Sequence, residues 1–346
     1  MTKKFGVFIG RFQPFHDGHA QIIRQALDEV DHLLILIGSS HRARNTRNPF
    51  TFFERAQMIR ESFHWEHEQG KFSFIPVEDV PSDDRWEMNV RIDVADQIEA
   101  LTKGAPHEIF LCGQNKDASS FYTAKFPDWG SIGFKSDHYL ISATDIRERY
   151  FSALPEIVES YLPSGTIKFL QGFKTDPAFR WLMDYFAARR KRDEAWKAAP
   201  FPNKDVCADA LVVQSGHVLL VTRDKFPGKG LLALPGGHVN VDERIKDASS
   251  RELREETHLA DAKGRLPAGR LQSYIADYKM YDDPYRSDFG RVISHAFLYR
   301  LPDSKELWKV VGMDDASHAG WYLIADLDRT QFHDDHFHMI QDMLGL

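Results

Sequence analysis

Short apolar runs alternate with longer amphipathic segments through the first half of the chain. The apolar runs have the length of buried strands and lie at 5–9, 33–37, 72–77 and 109–112. The segments between them have the pattern of helices and lie at 18–30, 51–63 and 90–101. Such strands joined by helices are typical of a parallel sheet that is covered on both faces and binds ligands at the carboxyl ends of its strands. We therefore predict an N-terminal Rossmann-like α/β domain over residues 1–175.

A charged segment in the middle of the chain separates this pattern from a different one. Residues 177–197 have a helical pattern with a basic run at 189–192. Two closely spaced prolines, Pro200 and Pro202, prevent that helix from continuing. We interpret residues 176–204 as a helical linker whose basic run is a solvated face.

Strand patterns dominate the last part of the chain. A hairpin is predicted at 208–214 and 218–222, around a Ser-Gly turn. A helix is predicted at 245–257, and the later strands are predicted at 271–276, 292–299 and 320–323. This α+β pattern indicates a second domain over residues 205–346.

Composition and charge narrow the range of partners. The net charge of −7 argues against a general nucleic-acid binder, which is usually basic. The only two cysteines, Cys112 and Cys207, lie one in each predicted domain, which excludes a disulfide framework and favours a reducing cytoplasm. The run at 5–9 is too short for a signal peptide, and no apolar stretch reaches membrane length. We expect a soluble cytoplasmic protein with no membrane partner, and the sequence leaves open whether it forms a homo-oligomer.

The first candidate site follows the first predicted strand. The segment from Gly10 to His19 reads GRFQPFHDGH and leads into a helix. This is the position at which a doubly wound sheet binds phosphate, because the amides of the helix N-terminus point at the ligand. His16 and His19 are three residues apart, so both can face one phosphoryl group. Nucleotidyl transfer needs no protein nucleophile, only aligned substrates and neutralised charge on the α-phosphate.

A second polar motif lies near the end of the first predicted domain, where residues 141–147 read ISATDIR. Ser142 or Thr144 would cap a helix and expose the amides of its N-terminus. Arg147 would offer a guanidinium to an anionic ligand. Taken alone, the motif could equally be a capped helix with a surface arginine.

These two motifs, in this order, resemble the HxGH and ISxTxxR signatures of the nucleotidyltransferase superfamily. The string GRFQPFH is similar to archaeal-type nicotinamide mononucleotide (NMN) adenylyltransferases, as are the NPFT and ER residues at 48–55 and the segment 113–122. The resemblance implies ATP and NMN as substrates, with Mg²⁺ or Mn²⁺. It also implies that the amides exposed by Ser142 or Thr144 face the triphosphate and that Arg147 binds its β and γ oxygens. It also implies a set of nucleotide-contacting residues, namely Gly10, Arg11, Phe12, Gln13, Asn48, Thr51, Gly113, Asn115, Lys116 and Asp117. The two extra segments could also be an ordinary Asn-Pro turn and a polar loop.

An aromatic residue that stacks on the nicotinamide ring is a further implication of this resemblance. Trp86 is the candidate, because a flat π-face suits a cationic pyridinium. The surrounding residues 83–88 do not match the usual spacing of that region. Trp86 could equally be a half-buried packing residue.

The second candidate site is a cluster of carboxylates on the helix predicted at 245–257. Glu252, Glu255 and Glu256 occupy positions i, i+3 and i+4, so their side chains share one face. Crowded carboxylates repel one another unless a cation joins them, and their hard oxygens favour Mg²⁺ or Mn²⁺. Arg251 would orient one glutamate, and Gly237 or the glycine before it would offer a backbone carbonyl ligand. Glu255 and Glu256 are the first candidates as ligands, with Glu252 as a further ligand or as the base that activates a water molecule.

The spacing of these residues resembles the Nudix box. Counted from Gly237, the pattern Gx5Ex7REUxEExGU is matched at every fixed position except one, with Glu243 expected to brace the loop or to join the site through water. The departure is His258, where the box has a glycine that ends the helix in a left-handed conformation. We expect a cost in stability rather than loss of the chemistry, although a weakened hydrolase stays open.

Over nearly the whole chain, the pieces resemble the bifunctional NMN adenylyltransferase/Nudix hydrolase family. For the second domain the resemblance implies hydrolysis of ADP-ribose to AMP and ribose 5-phosphate. Five aromatic residues could stack on the adenine or serve as core packing, namely Tyr274, Tyr278, Tyr281, Tyr285 and Phe289. Asp314 and Asp315 could assist hydrolysis or form a plain acidic turn. The histidines at 333, 336 and 338 are more typical of a polar segment around a last helix than of a metal site.

Two other functions stay open on the sequence. A different nucleotidyltransferase, such as one that acts on phosphopantetheine, would keep His16, His19 and Arg147 but would lack a nicotinamide site. Alternatively, the Nudix half could be a ligand sensor that regulates the first domain, or could hydrolyse another diphosphate. The intact carboxylates argue against a sensor, whereas His258 keeps it open.

Overall fold

The computed structural model describes residues 2–80, 82–114, 125–134, 142–152, 159–262, 264–312 and 316–346. Contacts within the chain divide it into two compact units, Met1–Phe186 and Ala187–Leu346. The division falls inside one helix, Pro177–Trp196, which covers most of the predicted linker. The domain bounds of 1–175, 176–204 and 205–346 therefore stay a prediction.

The first unit is built on a five-stranded sheet in the order β3-β2-β1-β4-β5, and every pairing in it is parallel. The strands are β1 Lys3–Gly10, β2 His32–Ile37, β3 Phe72–Pro76, β4 His107–Gln114 and β5 Gly130–Phe134. The predicted Rossmann-like sheet is confirmed. Strand β5 was not predicted, because its alternation of glycine with other residues lacks an apolar run.

Helices cover both faces of this sheet. They are α1 Asp17–Glu29, α2 Phe52–Ser62, α3 His64–Glu68, α4 Asp83–Thr102, α5 Ala143–Tyr150, α6 Ser164–Phe173 and α7 Pro177–Trp196, with a 3-10 turn at Glu159–Tyr161. Strand β2 is apolar throughout because both of its faces are buried. Leu33 and Ile35 belong to the core cluster on one face of the sheet, and Leu34 belongs to the cluster on the other face.

The second unit contains a seven-stranded mixed sheet, in the order β12-β13-β6-β7-β14 with β8 paired to β7 and β9 paired to β6. Only the β13–β6 pairing is parallel. Its strands are β6 Lys204–Gln214, β7 His217–Arg223, β8 Leu232–Ala233, β9 Gly236–His238, β12 Ile275–Tyr281, β13 Arg291–Arg300 and β14 Ala316–Leu323, while β10 Ala260–Asp261 and β11 Gly264–Arg265 form a separate pair. The predicted α+β pattern is confirmed.

Among the described residues of this unit, three helices accompany the sheet: α8 Ile245–Thr257, α9 Ala268–Gln272 and α10 His336–Leu344. Two 3-10 turns precede α10, at Ile324–Asp326 and Arg329–Gln331. The strand predicted at 271–276 was wrong at its start, because Leu271 reaches the core from a short helix that follows Pro267. Strand β12 begins only at Ile275.

Helix α8 is fixed against the sheet by its buried face. Leu253 is fully buried in the core, and the Ser249 hydroxyl donates to the backbone carbonyl of Asp209 on β6 at 3.2 Å. The glutamates at 252 and 255 lie on the less buried side of the same helix. Within the described residues, no helix is both long enough and apolar enough to cross a membrane.

Candidate active sites of the two units

The predicted phosphate loop connects β1 to α1 and is shaped by one aromatic residue. Phe12 has a φ of 51°, and its buried ring lies edge-on against the ring of His19, with 4.9 Å between centroids. A Cβ on Gly10 would lie 2.7 Å from the Phe12 ring, so only glycine allows the loop to fold back in this way. Phe12 therefore holds His19 in place from inside the loop, whereas Arg11 is exposed.

His16 and His19 lie together, as their spacing predicted. Their rings are stacked, with 3.7 Å between centroids and 25° between planes. Burial lowers the pKa of His16 to about 4, and burial together with the neighbouring His16 lowers the pKa of His19 well below its usual value. Both imidazoles are therefore neutral at pH 7, and they offer hydrogen bonds to a phosphate rather than positive charge.

The first loop is tied to the 48–51 loop by a side-chain amide. The Gln13 Nε2 donates to the Phe50 carbonyl at 2.8 Å, and the Phe50 N–H donates to Gln13 Oε1 at 3.0 Å. Gln13 is buried, and its amide completes a backbone-like pairing. The position predicted as a nucleotide contact therefore organises the loop in this structure, and direct contact with a nucleotide stays a prediction.

Arg147 joins the same loops from α5. Its guanidinium donates to the Gln13 carbonyl at 2.7 Å, to the Thr46 carbonyl at 3.0 Å and to the Thr144 hydroxyl at 3.0 Å. Ser142 is the N-cap residue, and its hydroxyl accepts from the Asp145 N–H at 3.1 Å. The structure thus assigns the cap to Ser142 and leaves Thr144 paired with Arg147.

Asn48 and Thr51 differ in whether their side-chain oxygens have a hydrogen-bond partner. The Thr51 hydroxyl caps α2 by accepting from the Glu54 N–H, and the Glu54 carboxylate accepts from the Thr51 N–H at 2.7 Å. Asn48 is buried, and among the described residues its Oδ1 has no hydrogen-bond partner. A buried acceptor without a partner is costly unless a ligand donates to it, which supports Asn48 as a contact residue.

Sequence reasoning gave no role to Arg55, which is fully buried below this site. Its guanidinium donates to the carbonyls of Arg11 and Gly38, both at 2.6 Å, and also to those of Ser39 and Thr51. Burial lowers its pKa to about 10, so it still carries its charge at pH 7. The signal was present in the ER residues that follow NPFT, but only the fold places them under the ends of β1 and β2.

The remaining predicted positions of the first unit have mixed outcomes. Gly113 lies in β4, and a Cβ there would meet no atom within 4 Å. Trp86 is partly buried against the core, with its ring 6.3 Å from that of Phe126, so the structure shows its packing role. Its contact with nicotinamide stays a prediction. Asn115, Lys116 and Asp117 lie outside the described residues.

In the second unit, Arg251 is the centre of the carboxylate cluster. Its guanidinium pairs with both oxygens of Glu243, at 2.8 and 2.9 Å, and a further nitrogen donates to Glu252 at 2.8 Å and to Glu255 at 3.0 Å. It also donates to the backbone carbonyl of His238 at 3.1 Å. The predicted orienting role of Arg251 and the predicted bracing role of Glu243 therefore match one fixed, bidentate pairing.

Glu256 lies deeper than its neighbours and is 7% exposed. Its carboxylate accepts the Gly236 N–H at 3.0 Å. Burial raises its pKa to about 8, and burial also raises the pKa of Glu252. A cation would offset the energetic cost of charging these carboxylates together, so the donor set fits a divalent metal ion. Among the described residues, no three acidic, cysteine or histidine side chains converge as a closed metal site. Two of the carboxylates, Glu252 and Glu255, pair with Arg251.

The glycines before α8 make room for the carboxylates. A Cβ on Gly237 would lie 2.5 Å from Glu252 Oε1, and one on Gly236 would lie 2.7 Å from the Ala208 carbonyl. Helix α8 then ends at His258, which has a φ of 45° and a ψ of 35°. His258 thus adopts the left-handed conformation that the glycine of the box normally has.

A cavity of 680 Å³ opens beside these carboxylates. Besides the residues of the Nudix box, it is lined by side chains that sequence reasoning did not assign to the site, among them Arg192, Trp196, Arg223, Lys225, Arg286, His333 and His336. They come from α7, from the segments around β7 and before β13, and from the start of α10. Nothing local in the sequence marked them, since they lie far from the box along the chain.

The histidines predicted as a polar segment around the last helix are buried, and two of them form part of the cavity wall. His336 Nδ1 accepts the Leu234 N–H at 3.1 Å, and burial lowers the pKa of His336 to about 4. The neutral ring therefore carries its proton on Nε2.

Four of the five predicted aromatic candidates lie elsewhere. Tyr274 packs against Trp308, with 5.6 Å between centroids, and Tyr278 stacks on His295 at 5.8 Å. The Tyr281 hydroxyl bonds to Asp342, Tyr285 is 72% exposed, and only Phe289 lines the cavity. Asp314 and Asp315 lie outside the described residues.

Comparisons with known proteins agree with the division of the chain into two units. Residues 7–149 match a family described as cytidylyltransferase-like, and residues 203–343 match the NUDIX domain family. Over 183 residues, the chain is 37% identical to the nicotinamide/nicotinic acid mononucleotide adenylyltransferase of Acinetobacter baylyi, which covers 53% of this chain and 93% of that protein.

The whole fold is also similar to that of a solved protein. The bifunctional NMN adenylyltransferase/ADP-ribose pyrophosphatase of Francisella tularensis, solved in complex with AMP and a manganese ion, has a TM-score of 0.88 and 31% identity. The match covers 99% of each chain. A second structure of the Francisella protein has a TM-score of 0.89 over the same share.

Proposed function

The chain belongs to the family of bifunctional NMN adenylyltransferases/ADP-ribose pyrophosphatases, and we propose that it carries out both reactions. The first unit joins ATP and NMN to give NAD and pyrophosphate. The second hydrolyses ADP-ribose to AMP and ribose 5-phosphate. The observation that carries the proposal is that two separately built sites, a histidine pair after β1 and a carboxylate cluster on α8, lie in separate compact units.

In the first reaction, an oxygen of the NMN 5′-phosphate attacks the α-phosphorus of ATP in line, and the bond to the leaving pyrophosphate breaks. The neutral imidazoles of His16 and His19 donate hydrogen bonds to the phosphate oxygens on which charge develops. The N-terminal amides of α1 and the buried charge of Arg55 add positive potential at the same sheet edge. Arg11 and Arg147 are the proposed contacts of the remaining phosphate oxygens, and a bound Mg²⁺ would supply further neutralisation.

In the second reaction, a water oxygen attacks one phosphorus of the diphosphate, and the bridging P–O bond breaks to leave two monophosphates. Glu255 and Glu256 are the proposed holders of Mg²⁺ or Mn²⁺, with the backbone carbonyl of Gly237 as a further ligand. The ion would supply charge neutralisation and a more acidic water. Glu252, oriented by Arg251, is a further ligand or takes the proton of the attacking water.

The direct test supplies the purified protein and Mg²⁺ with NMN plus ATP in one reaction and with ADP-ribose in another, followed by chromatography. We expect NAD in the first and AMP in the second. Replacement of NMN by phosphopantetheine is expected to give no product. NAD formation without AMP would remove the hydrolase half of the proposal, and absence of NAD would remove the adenylyltransferase half.

A single carboxylate variant separates hydrolysis from ligand sensing in the second unit. Glu256→Gln keeps the shape of the side chain and its bond from the Gly236 N–H but removes its negative charge. We expect AMP production to fall on the order of 100-fold while NAD formation continues. Unchanged activities in this variant would favour a sensor instead.

A further inference from the structure

One aromatic side chain of the hydrolase cavity comes from outside the family-matched segment. Trp196 is the last residue of α7, whereas the NUDIX match begins at residue 203. Its side chain nevertheless lines the same cavity as Glu252 and Glu256. The cavity is therefore completed by a helix that the motif does not include.

Trp196 is 47% exposed. Among the described residues, it makes no ring contact, cation–π contact or side-chain hydrogen bond. An exposed aromatic face beside a cavity offers stacking area to a flat ligand, because every nucleobase has a π-face of similar size.

The other aromatic rings of the cavity are less available. Phe289 is 8% exposed, and the guanidinium of Arg192 lies over its ring, 5.7 Å from the centroid. Phe226 also lines the cavity, but it has contacts with other residues of the protein. A nucleobase could therefore stack on the ring of Trp196 without displacing another side chain of the protein.

Arg192 fixes the end of α7 that carries Trp196. It lies one helical turn before Trp196, forms an ion pair with Asp205 on β6 and packs over Phe289. A Cβ on Gly290 would lie 3.3 Å from its guanidinium, so the packing there is close. The tryptophan is therefore held at the cavity by contacts within the second unit.

From this placement we infer that Trp196 is the base-stacking residue of the hydrolase cavity, with Arg192 as the positioning residue that holds it there. The ligand class is a nucleoside diphosphate derivative, whose diphosphate faces the α8 carboxylates while its base covers the indole. The inference deepens the proposed hydrolase function and rests on it for the choice of ADP-ribose as substrate.

The test compares two product inhibitors of ADP-ribose hydrolysis, AMP with a base and ribose 5-phosphate without one. In Trp196→Ala we expect KM for ADP-ribose and Ki for AMP to rise about tenfold, the size of effect that loss of one base stack gives. We expect kcat and the Ki for ribose 5-phosphate to stay within twofold. Trp196→Phe keeps a π-face and is expected to restore most of the affinity.

Two further variants separate stacking from a general disturbance of the helix end. Phe201→Ala removes a 79% exposed aromatic residue from the same segment that does not line the cavity, and it is expected to leave both Ki values unchanged. Arg192→Ala is expected to raise the Ki for AMP less than Trp196→Ala does. The double variant is expected to match Trp196→Ala, because both changes remove the same contact.

An unchanged Ki for AMP in Trp196→Ala, or an equal rise of both Ki values, would overturn the inference. If the wild-type protein does not hydrolyse ADP-ribose, calorimetry with AMP and Mn²⁺ takes the place of inhibition. The first unit contributes equally to the wild type and to Trp196→Ala, so the difference in their AMP affinity reports the cavity. A weaker affinity in the variant would keep the stacking inference and remove only the proposed substrate, whereas equal affinities would reject it.

Discussion

The two sites use burial in opposite ways. In the first unit, burial lowers the pKa of His16 and His19 and leaves neutral rings that donate hydrogen bonds. In the second unit, burial raises the pKa of Glu252 and Glu256, so charging both carboxylates is costly without a cation. The same desolvation therefore prepares one site for phosphate oxygens and the other for a metal ion.

The arginines beside the two sites, Arg55 in the first unit and Arg251 in the second, also differ in their hydrogen-bond partners. The buried guanidinium of Arg55 donates only to main-chain carbonyls among the described residues, so no carboxylate is hydrogen-bonded to it, although the charges of Asp79 and Glu54 favour its protonated form. Arg251 instead forms ion pairs with three carboxylates, Glu243, Glu252 and Glu255, so its charge is neutralised within the cluster. If this contrast is correct, removal of a hydrogen-bond donor and acidic pH will affect the first site. An added methyl group and a change at the end of α8 will affect the second unit.

The largest expected effect is the loss of a phosphate donor. His19→Ala is expected to lower kcat for NAD formation by about 100- to 1000-fold, since it removes one hydrogen bond to developing charge. ADP-ribose hydrolysis by the same protein is expected to stay unchanged. His64→Ala, which alters an exposed histidine of α3, is the matched control. Equal losses of both activities in His19→Ala would show a folding defect instead.

Acid is expected to destabilise the first unit through its buried histidines. The unfolded chain takes up a proton at His16 near pH 6.5, but the folded chain takes it up only near pH 4. Stability is therefore full above pH 6.5 and is lost as the pH falls towards 4, by up to about 3 kcal/mol. The urea midpoint of NAD-forming activity, measured at pH 7.5 and pH 5, checks this. A His16→Asn variant with the same acid loss would contradict it.

An added methyl group is expected to impair the second site by crowding. In Gly237→Ala, the new Cβ would lie 2.5 Å from Glu252 Oε1 and would push that carboxylate away from its contact with Arg251. We expect a fall of about tenfold in kcat/KM for ADP-ribose, which corresponds to roughly 1.4 kcal/mol. Gly269→Ala is the control, because a Cβ there meets no atom within 4 Å. A similar loss in both variants would rule out crowding as the cause.

The smallest expected effect concerns the end of α8. His258→Gly removes a side chain from a left-handed position and is expected to stabilise the second unit by about 1 kcal/mol. The carboxylates are unchanged by this substitution, so hydrolysis at 25 °C is expected to stay within twofold. The urea midpoint for loss of hydrolysis measures the gain. A large increase in kcat would show instead that His258 weakens the chemistry.

The local spacing of residues determined which side chains could act together on one element. His16 and His19 are three positions apart, and the glutamates at 252, 255 and 256 repeat with the period of a helix. Because a helix or a short loop carries its own geometry, these groups were predictable before any tertiary contact was known. The apolar runs likewise predicted the parallel sheet, since they are buried on both faces.

Tertiary structure decided which residues from distant segments complete each site. Arg147 reaches Gln13 across 134 positions, and His336 reaches Leu234 across 102. Trp196 enters the hydrolase cavity from a helix that the sequence indicated only as a linker. These contacts depend on how sheet, loops and helices pack, and no periodicity along the chain encodes that packing. The sequence by itself thus determined the reactive groups of the two sites, because residues close together along the chain form them. The fold decided which side chains surround these groups, because those side chains come from distant segments that only tertiary packing brings together.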